Sequence, residues 1–124
     1  MKAEILTMEK ELLKKFNEIT GRRFRETKAN LQGISARLKD GYTEQEILEV
    51  IQLKTLEWKK NPTMSVHLNP VTIFRPSNFD KYINQVLTIK ENPQQYAKYF
   101  QKINRITNGA SAADNDDAIS ELYG

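Results

Sequence analysis

The sequence predicts an all-α domain, a compact bundle of about five helices with a proline-rich connecting loop. Apolar residues recur at steps of three and four through most of the chain, the spacing of a helix face. No segment sustains the period-two alternation of a strand. Capping residues, glycines and prolines break the pattern at helix-length intervals.

The first helix carries Ile5, Met8, Leu12, Phe16 and Ile19 on one face. Gly21 follows, where a left-handed residue closes a helix. Thr27 suits the cap of a second helix with Leu31, Ile34 and Leu38 as its stripe, ended by Gly41. Gly33 interrupts that stripe, which either weakens the helix by ~1 kcal/mol or marks a close crossing. "TEQE", from Thr43 to Glu46, is a capping box for a third helix. Its apolar arc joins Ile47, Val50, Ile51 and Trp58 to Leu48, Leu53 and Leu56, and reaches almost all the way round, so it is expected to be the central helix. Asn61-Pro62 stops it.

"PTMSVHLNPVTIFRP" contains three prolines and predicts a loop with a short helical turn started by Asn69 and Pro70. Ser77 is expected to cap a fourth long helix bearing Phe79, Tyr82, Ile83, Val86 and Leu87. Asn92-Pro93 is expected to open a fifth, with Tyr96, Tyr99, Phe100, Ile103 and Ile106. The domain is placed at residues 1–108. Residues 109–124 form a tail of small and acidic residues that is expected to be disordered.

The chain has 124 residues, 39% hydrophobic and 28% charged, and no cysteine. Thiolate metal sites, disulfides and cysteine nucleophiles are thereby excluded. No apolar run approaches the ~20 residues of a membrane span, and the start is too charged for a secretory signal, so a cytoplasmic protein is expected. His67 is the single histidine, and the glycines form no phosphate-cradling loop. No carboxylate pair or serine stands in a catalytic context, so neither an enzyme nor a metal or cofactor is expected.

Charge is the informative property. Four of the 16 acids fall in the last fourteen residues, which hold no lysine or arginine. Residues 1–110 therefore hold 19 basic against 12 acidic side chains, a balance of +7. A basic body points to a polyanionic partner. The stretch "GRRFRETK" concentrates Arg22, Arg23, Arg25 and Lys28, and Arg37 and Lys39 follow on the second helix. Arginine forks match phosphate oxygens in pairs, so these residues are the candidate nucleic-acid contacts. Phe24 either pins this loop to the core, the preferred reading, or stacks on a base. Lys54 falls inside the apolar arc of the third helix, so it must snorkel or find an acid. With Trp58 it could form a base-stacking platform, although Trp58 as a core residue is preferred. Lys98, Lys102 and Arg105 either extend the basic surface or form a solvated face of the last helix. In the tail, Asp116 and Asp117 precede Ile119, Leu122 and Tyr123 at helical spacing, the form of a segment that folds into a partner's groove or back over the basic loop.

"FNEITGRRFRETKANLQGISARLKDGYTEQEILEVIQLKTLEWKKNPTMSVHLNPVTIFRPSNFDKYINQ" resembles the conserved C-terminal domain of phage replication proteins, also called replisome organisers. The resemblance rests on Asn17, Thr20, Gly21, Arg22, Phe24 and Arg25, then on Arg37, Leu38, Gly41, Tyr42 and Thr43. Val50, Ile51, Lys54 and Trp58 continue it, followed by Leu68, Pro70, Thr72, Phe74, Phe79, Tyr82 and Asn84. Asn69 stands where that pattern has a basic residue. The third helix also loosely resembles the C-terminal region of bacterial primosome proteins tied to single-stranded DNA. The resemblance implies a phage or prophage protein acting near replication initiation. Family members usually carry an N-terminal DNA-binding domain, none is expected here, and this departure puts origin-specific DNA recognition in question. The expected partner is DNA, single- or double-stranded. The alternative is an adaptor or inhibitor that binds a host replicative helicase or helicase loader.

Overall fold

The computed structural model describes residues 2–107, with side chains from residue 7 to residue 105. The expectations for the tail, including Asp116, Asp117, Ile119, Leu122 and Tyr123, lie outside the described residues. The elements are α1 (Lys2–Thr20), α2 (Lys28–Lys39), α3 (Glu44–Trp58), a 3₁₀ turn (Ser65–His67), α4 (Pro70–Ile73), α5 (Pro76–Glu91) and α6 (Ala97–Thr107). The five expected helices are present, and α4 is the short turn started by Asn69 and Pro70. No strand occurs among the described residues.

Local chemistry sets most boundaries. Gly21 and Gly41 adopt φ of +76° and +101°, conformations that L side chains rarely adopt. Thr27 Oγ1 accepts from the Asn30 amide at 3.2 Å, as an N-cap should. The Thr43–Glu46 box closes in both directions, at 2.9 and 3.1 Å. Asn69 Oδ1 accepts from the Thr72 amide at 2.8 Å, with Pro70 in the first turn of α4.

Two boundaries differ from expectation, both because of a proline. Ser77 does not cap α5. Pro76 forces Arg75 into extended backbone, with φ −61° and ψ 136°, and the helix starts there without a side-chain cap. Asn92-Pro93 ends a helix instead of starting one. Asn92 is the C-cap of α5 and its Nδ2 donates back to the Thr88 carbonyl at 2.7 Å. A turn over residues 93–96 then leads into α6.

The core is built round α3, which packs against α1, α5 and α6. Every residue from Val50 to Leu56 is buried, in keeping with its near-continuous apolar arc. Leu12, Leu13 and Phe16 from α1, Ile34 from α2, and Phe79, Ile83 and Val86 from α5 close over it. Each such large side chain contributes roughly 1.5–3 kcal/mol by leaving water. A line of aromatic rings runs through the core. Phe24 meets Phe16 at 5.7 Å, Phe16 meets Phe74 at 6.2 Å, Phe74 meets Phe79 at 5.9 Å and Phe79 meets Tyr42 at 4.8 Å. These centroid separations fall in the range where aromatic pairs add to plain burial.

Gly33 resolves as a close crossing. A Cβ at this position would lie 2.7 Å from Phe74 Cβ. Phe74 is fully buried, and its Cβ is fixed to the backbone just after α4, so it has little room to yield. Gly33→Ala would normally gain ~1 kcal/mol of helix propensity. Here the overlap is expected to outweigh that gain, with a net loss of about 1–3 kcal/mol in urea unfolding. A variant more stable than the wild type would show that the crossing is loose.

Candidate nucleic-acid interface

The basic stretch forms a loop tied down at both ends. At its start the Gly21 amide donates to the Asn17 carbonyl at 2.8 Å. Thr20 Oγ1 donates to the Phe16 carbonyl at 2.7 Å and accepts from the Arg22 amide at 3.2 Å. In its middle, the Asn17 side chain clasps the backbone of Phe24. Nδ2 donates to the Phe24 carbonyl and Oδ1 accepts from the Phe24 amide, both at 2.9 Å. The Phe24 ring meets Phe16 edge-on, so it anchors the loop as preferred. At its end the Arg25 carbonyl accepts from the Thr27 amide at 2.7 Å and from Asn30 Nδ2 at 2.9 Å.

A loop held this way presents its charges with little ordering left to do. Arg23, Arg25 and Lys28 are exposed. Arg22 is half-buried, with Nη2 3.5 Å from the Ser65 carbonyl, at the outer limit of a hydrogen bond. Lys39 is exposed on α2, and it lines with Lys28 a groove of about 390 Å³ beside Glu9 of α1. Sequence reasoning missed Lys10 and Lys14. With Arg25 they line a second groove, of about 470 Å³, between α1 and the loop. The successive steps from Lys10 to Lys14 and from Lys14 to Asn17, four and three residues, put all three on one stripe of α1. That signal becomes useful once Asn17 is known to hold the loop.

Two of the expected contacts are taken into the interior. Arg37 is 6% exposed, and its Nη1 donates to the Phe74 carbonyl at 2.9 Å. Its Nε lies 3.0 Å from Asp40 Oδ2 without aiming a hydrogen bond at it, so that contact is an ion pair of poor directionality. Arg37 therefore closes the end of α4 and does not face a ligand. Lys54 is 3% exposed. Its Nζ donates to Glu57 Oε1 at 2.7 Å and to Gln85 Oε1 at 2.6 Å. It also sits 4.1 Å from the Tyr82 ring centroid and 4.9 Å from that of Trp58. This lysine finds an acid and two π faces. Trp58, 8% exposed, belongs to the core and presents no platform for bases. His67 is an exposed loop residue with its ring 6.3 Å from Trp58. On α6, Lys98 and Arg105 are exposed, whereas Lys102 is buried, so these three do not form one basic face.

Burial lowers the Lys54 amine below its ordinary 10.5, although the hydrogen bond and charge of Glu57 oppose this. Burial raises Tyr82 above its ordinary 10.0, and the Glu57 charge adds to the shift. Tyr99 is raised for the same reason, with Glu49 and Glu57 assisting. No group of His, Cys, Asp or Glu among the described residues is placed to hold a metal ion. No described helix is long and apolar enough to cross a membrane.

A family model described as "Conserved phage C-terminus" matches residues 12–84. The chain belongs to that family. The matched stretch runs from α1 into α5 and contains the basic loop, its Asn17 clasp and the two buried cations. The family match stops before α6. No curated protein and no solved structure matches the chain.

The shifted groups give stability a defined alkaline limb. Lys54 loses its proton earlier in the folded state than in the unfolded one. Its contribution is therefore fully present above 10.5 and is lost as pH falls through the lowered folded value. Tyr82 and Tyr99 hold their protons longer when folded. Their contribution is present below 10.0 and is lost as pH rises above it. Urea midpoints measured across this range should turn downward above pH 10. In Lys54→Met the tyrosine decline should persist and the rise just below it should flatten. An unchanged pH profile in that variant would mean that Lys54 titrates as it does in water.

Proposed function

We propose that this phage-family domain is an accessory or organising protein of phage DNA replication that binds DNA without catalysis. The observation that carries the reading is the clasped loop. Asn17 fixes the Phe24 backbone, and this holds Arg23 and Arg25 outward beside Lys28 on the first turn of α2. A loop backbone ordered in advance reduces what must be ordered when its arginines meet phosphate oxygens. The basic balance of residues 1–110 supports the same class of partner.

A second reading, an adaptor for a host replicative helicase or helicase loader, draws on apolar side chains rather than on the basic loop. Val66 and Val71 are 69% and 47% exposed on the proline-rich segment, away from the clasped loop in sequence. Binding to a purified helicase or loader in the absence of any DNA affinity would favour that reading.

The DNA reading is tested by salt dependence. Contacts from Arg22, Arg23, Arg25 and Lys28 imply a log–log slope of about −3.6 on duplex DNA, or roughly a hundredfold loss of affinity from 50 to 200 mM salt. Arg23→Ala with Arg25→Ala should flatten the slope by about 2 and leave the melting temperature nearly unchanged, because both side chains are exposed. A slope that does not move would remove the loop from the interface.

A further inference from the structure

We propose that the groove between α1 and the clasped loop is a seat for one unstacked base of single-stranded DNA, with its flanking phosphates on Lys10, Lys14 and Arg25. This deepens the DNA-binding reading and rests on it. The groove encloses about 470 Å³ and is lined by Leu13 and Phe24 as well as by these three basic residues. Its volume lies within the ordinary range of small-ligand sites.

The composition of the walls separates a base seat from a simple phosphate trough. Glu11 and Glu26 also line the groove, so the lining carries only one net positive charge. Strong duplex affinity comes from unopposed cations set against a dense line of phosphates. A base differs in having an apolar face and a polar edge with both donors and acceptors. The half-buried Phe24 supplies apolar surface for the face, with the buried Leu13 behind it, and the carboxylates can accept from N–H groups of a base edge, such as N3–H of thymine. Lysines on one wall and an arginine on the other suit a backbone passing over the groove. Bases in a duplex are paired and stacked, so their faces cannot enter. Single strands offer them freely, and aromatic contacts of this kind are worth a substantial part of single-strand affinity.

Phe24 is also well prepared for this role. Its backbone is clasped by Asn17 and one edge of its packing is fixed against Phe16, yet the residue remains only half-buried. A ring already held in place loses no rotamer freedom when a base arrives.

The test compares a short oligothymidylate with a duplex of equal length, using the full chain. Phe24→Leu keeps an apolar anchor and leaves the Asn17 clasp of the backbone available. It should weaken oligothymidylate binding by about tenfold and duplex binding clearly less. Lys10→Gln with Lys14→Gln alters two exposed side chains and keeps the test decisive should Phe24→Leu fold poorly. This pair should likewise weaken oligothymidylate binding by about tenfold and affect the duplex less. Equal losses on both ligands, or no loss on the single strand, would overturn the base seat and leave the phosphate-binding loop standing. Absence of binding to either ligand by the wild-type chain would instead remove the DNA reading, and the base seat with it.

Discussion

Phe74 is where four separate constraints meet. Its ring lies between those of Phe16 and Phe79. Its Cβ faces Gly33, where no side chain fits. Its carbonyl receives the Arg37 guanidinium. Since it is also the C-cap of α4, one residue joins α1, α2, α4 and α5. The proline-rich segment would otherwise have little reason to adopt one course, because α4 spans only four residues and a single turn is not stable alone. Arg37 explains how a charge is tolerated at this junction. It satisfies a carbonyl at the helix end and keeps Asp40 beside it.

Features that depend on neighbouring residues were readable from sequence. The capping box at Thr43, the cap at Thr27, the Asn69-Pro70 turn and the two left-handed glycines each need only a few consecutive residues. The centrality of α3 was readable because its apolar arc is too wide for a surface helix. The misjudged boundaries at Ser77 and Asn92 involve competition between a capping residue and an adjacent proline, and in both cases the steric demand of the ring won. Features that depend on distant residues were not readable. Lys54 donates to Gln85, 31 positions away, and Arg37 to a carbonyl 37 positions away. Arg37 on its helix gives no sign of such a commitment and was expected to face phosphate, whereas the place of Lys54 inside the apolar arc required a snorkel or an acid without pointing to Gln85. Lys10 and Lys14 were overlooked for the converse reason. They became relevant only when the loop folded back along α1.

The positive charges thus divide into two populations with different work. Arg37 and Lys54 are interior groups, each held by fixed partners. Arg23, Arg25, Lys28 and Lys39 face solvent, with Lys10 and Lys14 beside them across the α1 groove. This division reduces the number of charges that can meet a phosphate backbone, but it improves their definition. The Asn17 clasp and the Phe24 anchor tie the loop to the same aromatic line that crosses the core. The geometry of the outer charges is consequently set by the packing of the inner rings.

The arrangement around Trp58 has an optical consequence. It is the single tryptophan of the chain, and its indole has the Lys54 ammonium on one side and the Tyr82 ring edge-on at 5.6 Å. A fixed positive charge near an indole shifts its emission, and a phenol that close transfers its excitation efficiently to the indole. Unfolding removes both effects together. The native protein therefore contains an internal probe of the packing round Trp58, with colour reporting the charge of its α3 neighbour and Tyr82 on α5 adding to the tyrosine-excited intensity.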